Sequence, residues 1–118
     1  MSWRETYEEW LNSPALSEAE WNELKAIGGD EKEMEERFYA PLAFGTAGLR
    51  GIMGLGTNRM NIHIIRHATQ AFAELIVSEG REAAEKGVCV CFDCRNNSDV
   101  FAREAAAIMA ANGVRVRL

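Results

Sequence analysis

The chain has 118 residues, of which 47% are hydrophobic, 26% are charged and only 2 are proline. This composition is typical of one soluble globular domain and excludes a disordered or collagen-like chain. The 13 basic and 18 acidic residues give a net charge of -5, which argues against a protein that binds duplex nucleic acid by neutralising its phosphates.

No targeting or membrane-spanning pattern is visible in the sequence. The opening residues lack the apolar run of a signal peptide, and nowhere do about 18 consecutive apolar residues occur. The 3 cysteines are clustered at Cys89, Cys91 and Cys94, which is a poor disulfide framework and suits a reducing compartment. We expect a cytoplasmic protein with neither a membrane nor a nucleic-acid partner.

Residues 1–38 predict three short helices. Each starts at a capping residue with an acid three positions later: Ser2 with Glu5, Ser17 with Glu20, and Asp30 with Glu33. The mixed-sign run at 29–37 predicts a solvated helix face. Because so short a set of helices cannot bury Trp3, Tyr7 and Trp10 against itself alone, we expect residues 1–38 to be a helical arm packed on the remainder, residues 39–118.

Glycines are concentrated between Pro41 and Asn61, which we call the glycine-rich segment: Gly45, Gly48, Gly51, Gly54 and Gly56. This density excludes a long helix and predicts an extended, tightly turning loop. Exposed backbone N–H groups in such a loop can bind an anion, and Arg50 or Arg59 could clamp a phosphate. The spacing alone is equally compatible with a purely structural loop, and neither nucleotide-binding glycine fingerprint is present.

The residues after the glycine-rich segment alternate between helical and strand patterns. Asn61 is expected to cap a helix that ends near Gly80, and a second helical stretch is expected over 81–86. The apolar positions of the first helix are expected to face inward: Ile65, Ala68, Phe72, Leu75 and Ile76.

A βαβ unit is predicted for the last third of the chain. The apolar run 88–92 predicts a strand buried on both faces, and Asn97 or Ser98 should cap the helix that follows. That helix should turn these residues inward: Phe101, Ala105, Ile108 and Met109. Residues 114–118 predict a second, parallel strand reached by a right-handed crossover, so the fold class is α/β.

Two clusters in this part carry candidate chemistry. Asp93 and Arg95 follow the first strand, where parallel sheets bind ligands, although Asp93 could equally pair with Arg95 or cap the next helix. Packing in the core explains Cys89, Cys91 and Cys94 better than a zinc site does. His63 and His67 lie one helical turn apart but lack the glutamate of a zinc-protease motif, so no metal site is expected there either.

Several motifs together resemble the first domain of the α-D-phosphohexomutases. They are the run 44–51 (FGTAGLRG), the run 56–61 (GTNRMN), and 92–95 (FDCR) ahead of a helix ending at Ala111-Asn112-Gly113. The sequence is most similar to the bacterial phosphoglucomutase/phosphomannomutase branch, which also contains phosphopentomutase-like relatives. Trp3, Trp10 and the run 29–31 are similar to the amino terminus of that branch, so the resemblance covers nearly the whole chain.

The resemblance implies an enzyme that moves a phosphoryl group between the 1- and 6-positions of a sugar, or their equivalents. The transfer would pass through a phosphoserine and a bisphosphorylated intermediate, with Mg2+ bound nearby and with sugar phosphates and a sugar bisphosphate as partners. The site residues that the resemblance implies fall into two groups: Arg50, Gly48 and Thr46 bind substrate, and Asp93, Arg95 and Arg59 shape the site.

Other parts of the family pattern are absent from these residues. The Ser-His-Asn-Pro serine loop and the Asp-Gly-Asp metal loop do not occur, and Cys94 stands where serine or threonine is usual. We therefore expect the amino-terminal part of a longer phosphohexomutase, without a catalytic or metal-ligating residue of its own. This part should be inactive alone and should self-associate. The alternative is a stand-alone module that binds an anion or sugar phosphate without catalysis.

Overall fold

The computed structural model describes residues 2–45, 48–49, 51–91 and 97–117. Contacts within the chain form two compact units, Met1–Asn61 and Ile62–Leu118. The helices of the first unit are α1 (Trp3–Leu11), α2 (Glu18–Ala26) and α3 (Glu31–Phe38), followed by strands β1 (Phe44–Gly45) and β2 (Gly48–Leu49). The second unit contains α4 (Ile62–Ser78), α5 (Arg81–Lys86), β3 (Val88–Cys89), α6 (Ser98–Ala111) and β4 (Val116–Arg117).

The three helices of the arm begin where the capping pairs predict. The capping residue accepts a backbone N–H three residues later in each case: Ser2 from Glu5 at 3.3 Å, Ser17 from Glu20 at 3.2 Å, and Asp30 from Glu33 at 3.2 Å. Glu20 also accepts from the Ser17 N–H at 3.0 Å, which completes a capping box. Local sequence therefore sets the helix starts in this unit.

An aromatic core holds the three helices together. The ring of Phe38 lies 5.7 Å from that of Tyr7 and 5.5 Å from that of Trp10, both in edge-on geometry. The Tyr7 hydroxyl donates to the Leu24 carbonyl at 2.7 Å, and burial raises the pKa of Tyr7. Leu55 of the glycine-rich segment completes this core. The arm therefore packs on the segment that follows it, while the predicted domain boundary after residue 38 stays a prediction.

In the second unit, α4 packs against α6 through a small apolar core. Its buried members are Ala73, Met109 and Val114, with Ile76, Val88 and Val116 packed around them. The predicted inward face of α4 was wrong at Phe72 and Leu75, which are 51% and 56% exposed in this chain. The helix is apolar on more than one side, so its periodicity does not select the face that meets α6. The expected self-association stays a prediction.

The parallel strand pair predicted for the βαβ unit is present. Val88 lies opposite Val116, and the Val90 N–H donates to the Arg117 carbonyl at 2.7 Å. The prediction of a first strand buried on both faces was wrong, because Cys89 and Cys91 are exposed free cysteines. Val88 and Val90, on the other face of this strand, are half-buried. The prediction that Cys89 and Cys91 pack in the core was therefore also wrong.

The helix α6 begins at the predicted place, but the Asn97 side chain does not cap it. Asn97 is the N-cap residue, has a left-handed backbone with φ 63°, and its side chain makes no capping hydrogen bond. Among the described residues, no helix has the length and apolar character needed to cross a lipid bilayer.

Candidate functional site

The glycine-rich segment opens with a short antiparallel hairpin. Phe44 pairs with Leu49 and Gly45 with Gly48. The sequence prediction of a loop without long helices is confirmed, but the hairpin is a feature that it missed. Thr46 and Arg50, both predicted to bind substrate, lie outside the described residues, and only the backbone of Gly48 is placed, in β2.

The second half of the glycine-rich segment is held together by its own polar groups. The Met60 N–H donates to the Ile52 carbonyl at 2.8 Å, and the Gly54 N–H donates to the Met60 carbonyl at 3.1 Å. The buried Asn61 amide donates to the carbonyls of Gly54 at 2.9 Å and Gly56 at 3.0 Å. The Asn61 side chain thus satisfies backbone carbonyls that would be paired by strand-to-strand hydrogen bonds in a regular sheet.

The ends of this loop meet at its base. The Leu42 N–H donates to the Thr57 carbonyl at 2.8 Å, and the Thr57 hydroxyl donates to the Ala40 carbonyl at 3.0 Å. Residues 42–57, which we call the closed loop, therefore contain Thr46, Gly48 and Arg50 between two joined ends. Compact loops of this kind commonly carry functional residues.

The base of the closed loop is attached to the carboxyl end of α3. The Asn58 N–H donates to the Arg37 carbonyl at 2.9 Å, and the Asn58 side-chain amide and Arg59 both donate to the Glu36 carbonyl at 3.4 Å. Carbonyls at a helix end have no partner within the helix, so these donors satisfy groups that would otherwise need water. The positive charge of Arg59 also lies at the negative end of the helix dipole.

Arg59 is one of the predicted site-shaping residues, and its described contacts are structural. It is 9% exposed, donates to the Asn58 carbonyl at 3.2 Å and lies 4.0 Å from the Glu36 carboxylate. These contacts fix the guanidinium against α3. Its role in shaping a substrate site stays a prediction.

Arg37 is a half-buried charge that sequence reasoning missed. Its side chain is only 16% exposed, so the prediction of a solvated face for this run was wrong at Arg37. Its Nη1 donates to the Leu55 carbonyl at 3.3 Å, and its Nε donates to Glu33 at 2.8 Å. A Cβ added at Gly56 would lie 2.5 Å from the Arg37 carbonyl, so only glycine allows this approach. The Glu33–Arg37 spacing was visible in the sequence, but the backbone partner was not.

The second predicted cluster, Asp93 and Arg95, lies outside the described residues. Its predicted role at the end of the first strand therefore stays a prediction. In the described part of the chain, no three histidine, cysteine or acidic side chains converge as a metal site would require.

Two comparisons relate the chain to known proteins. The family described as phosphoglucomutase/phosphomannomutase, alpha/beta/alpha domain I, matches residues 41–118. A phosphopentomutase of Mus musculus is 37% identical over 92% of this chain, and a probable phosphoribomutase of Schizosaccharomyces pombe is 32% identical over 95%. A phosphoglucomutase of Staphylococcus saprophyticus is 33% identical over 71% of the chain.

These relatives are much longer than the chain. The matches span 18% of the Mus musculus protein, 19% of the Schizosaccharomyces pombe protein and 15% of the Staphylococcus saprophyticus protein. No solved structure shows a significant match.

Proposed function

Because the chain belongs to the phosphoglucomutase/phosphomannomutase family, we propose that it is part of a sugar-phosphate mutase, a phosphotransferring isomerase that moves a phosphoryl group between two positions of one sugar. The relatives named above act, by their names, on pentose, ribose or glucose phosphates. We propose that the substrates of this protein belong to the same class and that it works in the cytoplasm.

The closed loop is the observation that carries this proposal. Its described ends are joined by the hydrogen bond from Leu42 to Thr57, and its sequence contains the predicted substrate-binding residues Thr46, Gly48 and Arg50 within the stretch that matches the family. Phosphoryl transfer depends mainly on positioning and on stabilising charge, so a loop with joined ends and an arginine in its sequence supports a role in binding phosphate. In our proposal this chain binds and orients the phosphosugar, and a serine elsewhere in the protein carries the transferred group.

The resemblance also implies Mg2+, whose chemistry in phosphoryl transfer is to neutralise developing negative charge. The residues that the structure describes bring together no cluster of three suitable ligands. They therefore do not fit a magnesium site, and no step of the proposed function is routed through a metal here. We propose that the metal ligands, like the serine, lie in other parts of the protein.

The substitution Arg50→Ala in the full-length protein tests the proposal. We expect kcat/KM toward glucose 1-phosphate or ribose 1-phosphate to fall by about 30-fold, equivalent to about 2 kcal/mol of lost transition-state stabilisation. The melting temperature should change little, because a charged fork in a glycine-rich turn is structurally easy to remove.

The matched control is Arg59→Ala, whose side chain is fixed against α3. This variant should lower the melting temperature more than Arg50→Ala does. If kcat/KM of Arg50→Ala stayed within about threefold of wild type while its melting temperature collapsed, Arg50 would be a structural residue. Binding of either sugar phosphate without any turnover by the wild-type protein would favour the alternative of a non-catalytic binding module.

A further inference from the structure

Both backbone groups of Leu55 are held by charged side chains from the helical arm. The Leu55 N–H donates to Glu23 Oε2 at 3.2 Å, and its carbonyl accepts from Arg37 Nη1 at 3.3 Å. The same Nη1 lies 3.1 Å from the same Glu23 oxygen. We call this arrangement the Glu23–Arg37 clasp. The two charges suit the backbone groups that they contact: the Glu23 carboxylate accepts from the Leu55 N–H, and the Arg37 guanidinium donates to the Leu55 carbonyl.

Leu55 lies between two glycines, where the backbone needs contacts from outside the loop to keep one conformation. Gly54 and Gly56 flank it with φ of 147° and 132°, so the backbone on either side has the freedom that only glycine provides. Without an external anchor, this stretch would lose its single conformation readily, since ordering a free backbone is entropically costly. The clasp and the burial of the Leu55 side chain, which is 4% exposed, supply the anchor.

The clasp contributes more to the order of the loop than to the stability of the fold. Glu23 is 48% exposed, and ion pairs with such exposure contribute little to the free energy of unfolding. Arg37 is nevertheless directed at Leu55, because its Nε is bonded to Glu33 at 2.8 Å on its own helix. The guanidinium is therefore oriented before it meets the loop.

We propose that Glu23 and Arg37 are positioning residues for the substrate-binding loop. They hold Leu55 and so keep the described part of the closed loop in one conformation, in the same loop whose sequence contains the predicted substrate-binding residues Thr46, Gly48 and Arg50. The inference rests on the proposed function for its substrate, and on the clasp geometry for its physical cause. It assigns a task to the helical arm, which holds the loop in place and contributes none of the predicted substrate-binding residues.

The test compares Glu23→Met with Glu23→Gln in the full-length protein. Glutamine keeps an oxygen that accepts from the Leu55 N–H, whereas methionine has a similar length and lacks that acceptor. The control is Glu31→Met, which breaks the Arg4–Glu31 pair on the same arm, a pair whose side chains are 59% and 66% exposed. Amide hydrogen exchange at Leu55 and steady-state kinetics with glucose 1-phosphate and ribose 1-phosphate are measured on all three variants.

We expect Glu23→Met to speed exchange at Leu55 by about tenfold or more, because exchange follows local opening of the clasp. Its kcat/KM should fall by about tenfold, mainly through KM, with an almost unchanged melting temperature. Glu23→Gln should restore both values to within about threefold of wild type, and Glu31→Met should match wild type throughout.

Either of two results would overturn the inference. One is unchanged exchange at Leu55 in Glu23→Met, which would mean that the clasp does not hold the loop. The other is faster exchange with unchanged kinetics, which would make the clasp purely structural. A wild-type protein that turns over neither sugar phosphate would instead refute the proposed function, and the exchange measurement would still decide whether the clasp orders the loop.

Discussion

Residues 1–61 and residues 62–118 satisfy their backbone groups in different ways. In the first unit, side chains reach the backbone across long stretches of sequence, and the hold of Glu23 and Arg37 on Leu55 is the clearest case. The irregular glycine-rich segment leaves N–H and carbonyl groups without ladder partners, and buried groups of this kind must find others. Here the order of an irregular loop depends on the helices beside it.

The second unit uses its polar side chains to join helix to helix. Arg66 of α4 donates to Glu104 of α6 at 2.8 Å, and the amides of Gln70 and Asn112 exchange hydrogen bonds at 3.0 and 2.7 Å. Helices and the parallel strand pair already satisfy much of the backbone in this unit, which leaves side chains free for these contacts. From this comparison we expect packing changes in the first unit to lower the free energy of unfolding strongly. Loss of a surface charge in the second unit should lower it only slightly.

The largest expected effect comes from the core of the first unit. Leu24 is 0% exposed, so Leu24→Ala should lower the free energy of unfolding by about 3 kcal/mol or more, from lost burial and the cavity left behind. The tryptophans Trp3, Trp10 and Trp21 all lie in this unit, so their fluorescence during urea unfolding reports on it alone. Val114→Ala in the second unit is the control and should leave that fluorescence transition closer to wild type. Equal midpoints for the two variants would contradict the comparison.

A slightly smaller effect is expected where the closed loop touches α3. Gly56→Ala places a Cβ 2.5 Å from the Arg37 carbonyl at φ 132°, and strain with displacement should cost about 2 to 3 kcal/mol. Gly29→Ala is the matched control, since Gly29 has φ 99° but open space around it. It should cost only about 1 kcal/mol from its backbone conformation. Urea denaturation of both variants gives the difference, and similar costs would show that the close approach is unimportant.

The smallest effect concerns Glu104. The hydrogen bond from Arg66 lowers the pKa of Glu104, against a weaker opposite effect of burial. The folded state therefore favours the carboxylate, and its contribution is present above the ordinary pKa of about 4.3 and lost as pH falls through the lower folded value. Because the two side chains are 28% and 41% exposed, Glu104→Gln should cost less than about 1 kcal/mol at neutral pH.

The pH dependence is measured as the difference in unfolding free energy between wild type and Glu104→Gln. This difference should shrink as pH falls below about 4. Glu85→Gln is the control: Glu85 is 69% exposed in its pair with Arg81, so this change should cost less than Glu104→Gln at neutral pH. A Glu104→Gln difference that grew in acid would mean that the sign assigned to this interaction is wrong.

Local sequence patterns predicted much of the fold. The serine and aspartate caps located the arm helices because capping depends on residues a few positions apart. The βαβ unit followed from an apolar run, a helix and a second apolar run. The hairpin was missed because the sequence between its two strands, Thr46 and Ala47, lacks the glycine and asparagine residues that mark a tight hairpin turn.

Features that depend on distant partners could not be predicted in this way. Arg37 is half-buried and contacts Leu55, far along the chain, whereas the sequence around Arg37 alone is that of an exposed helix. The face of α4 that meets α6 was undetermined because apolar residues lie on more than one side of the helix. For the candidate site, motifs indicated Arg50, Asp93 and Arg95, while the scaffold that holds the closed loop became visible only in the structure.

The reciprocal amide contact between α4 and α6 also bears on chemical ageing. Asn112 is followed by Gly113, and deamidation at such a pair needs the Gly113 nitrogen to attack the Asn112 side-chain carbonyl, a step that a bulkier neighbour would hinder. In the folded chain the Asn112 amide is held by Gln70 and by the Ile108 carbonyl at 2.8 Å, and the Gly113 N–H is held by the Ala110 carbonyl at 3.0 Å. We therefore expect folding to slow the loss of ammonia at Asn112, because both reacting groups are held by other hydrogen bonds.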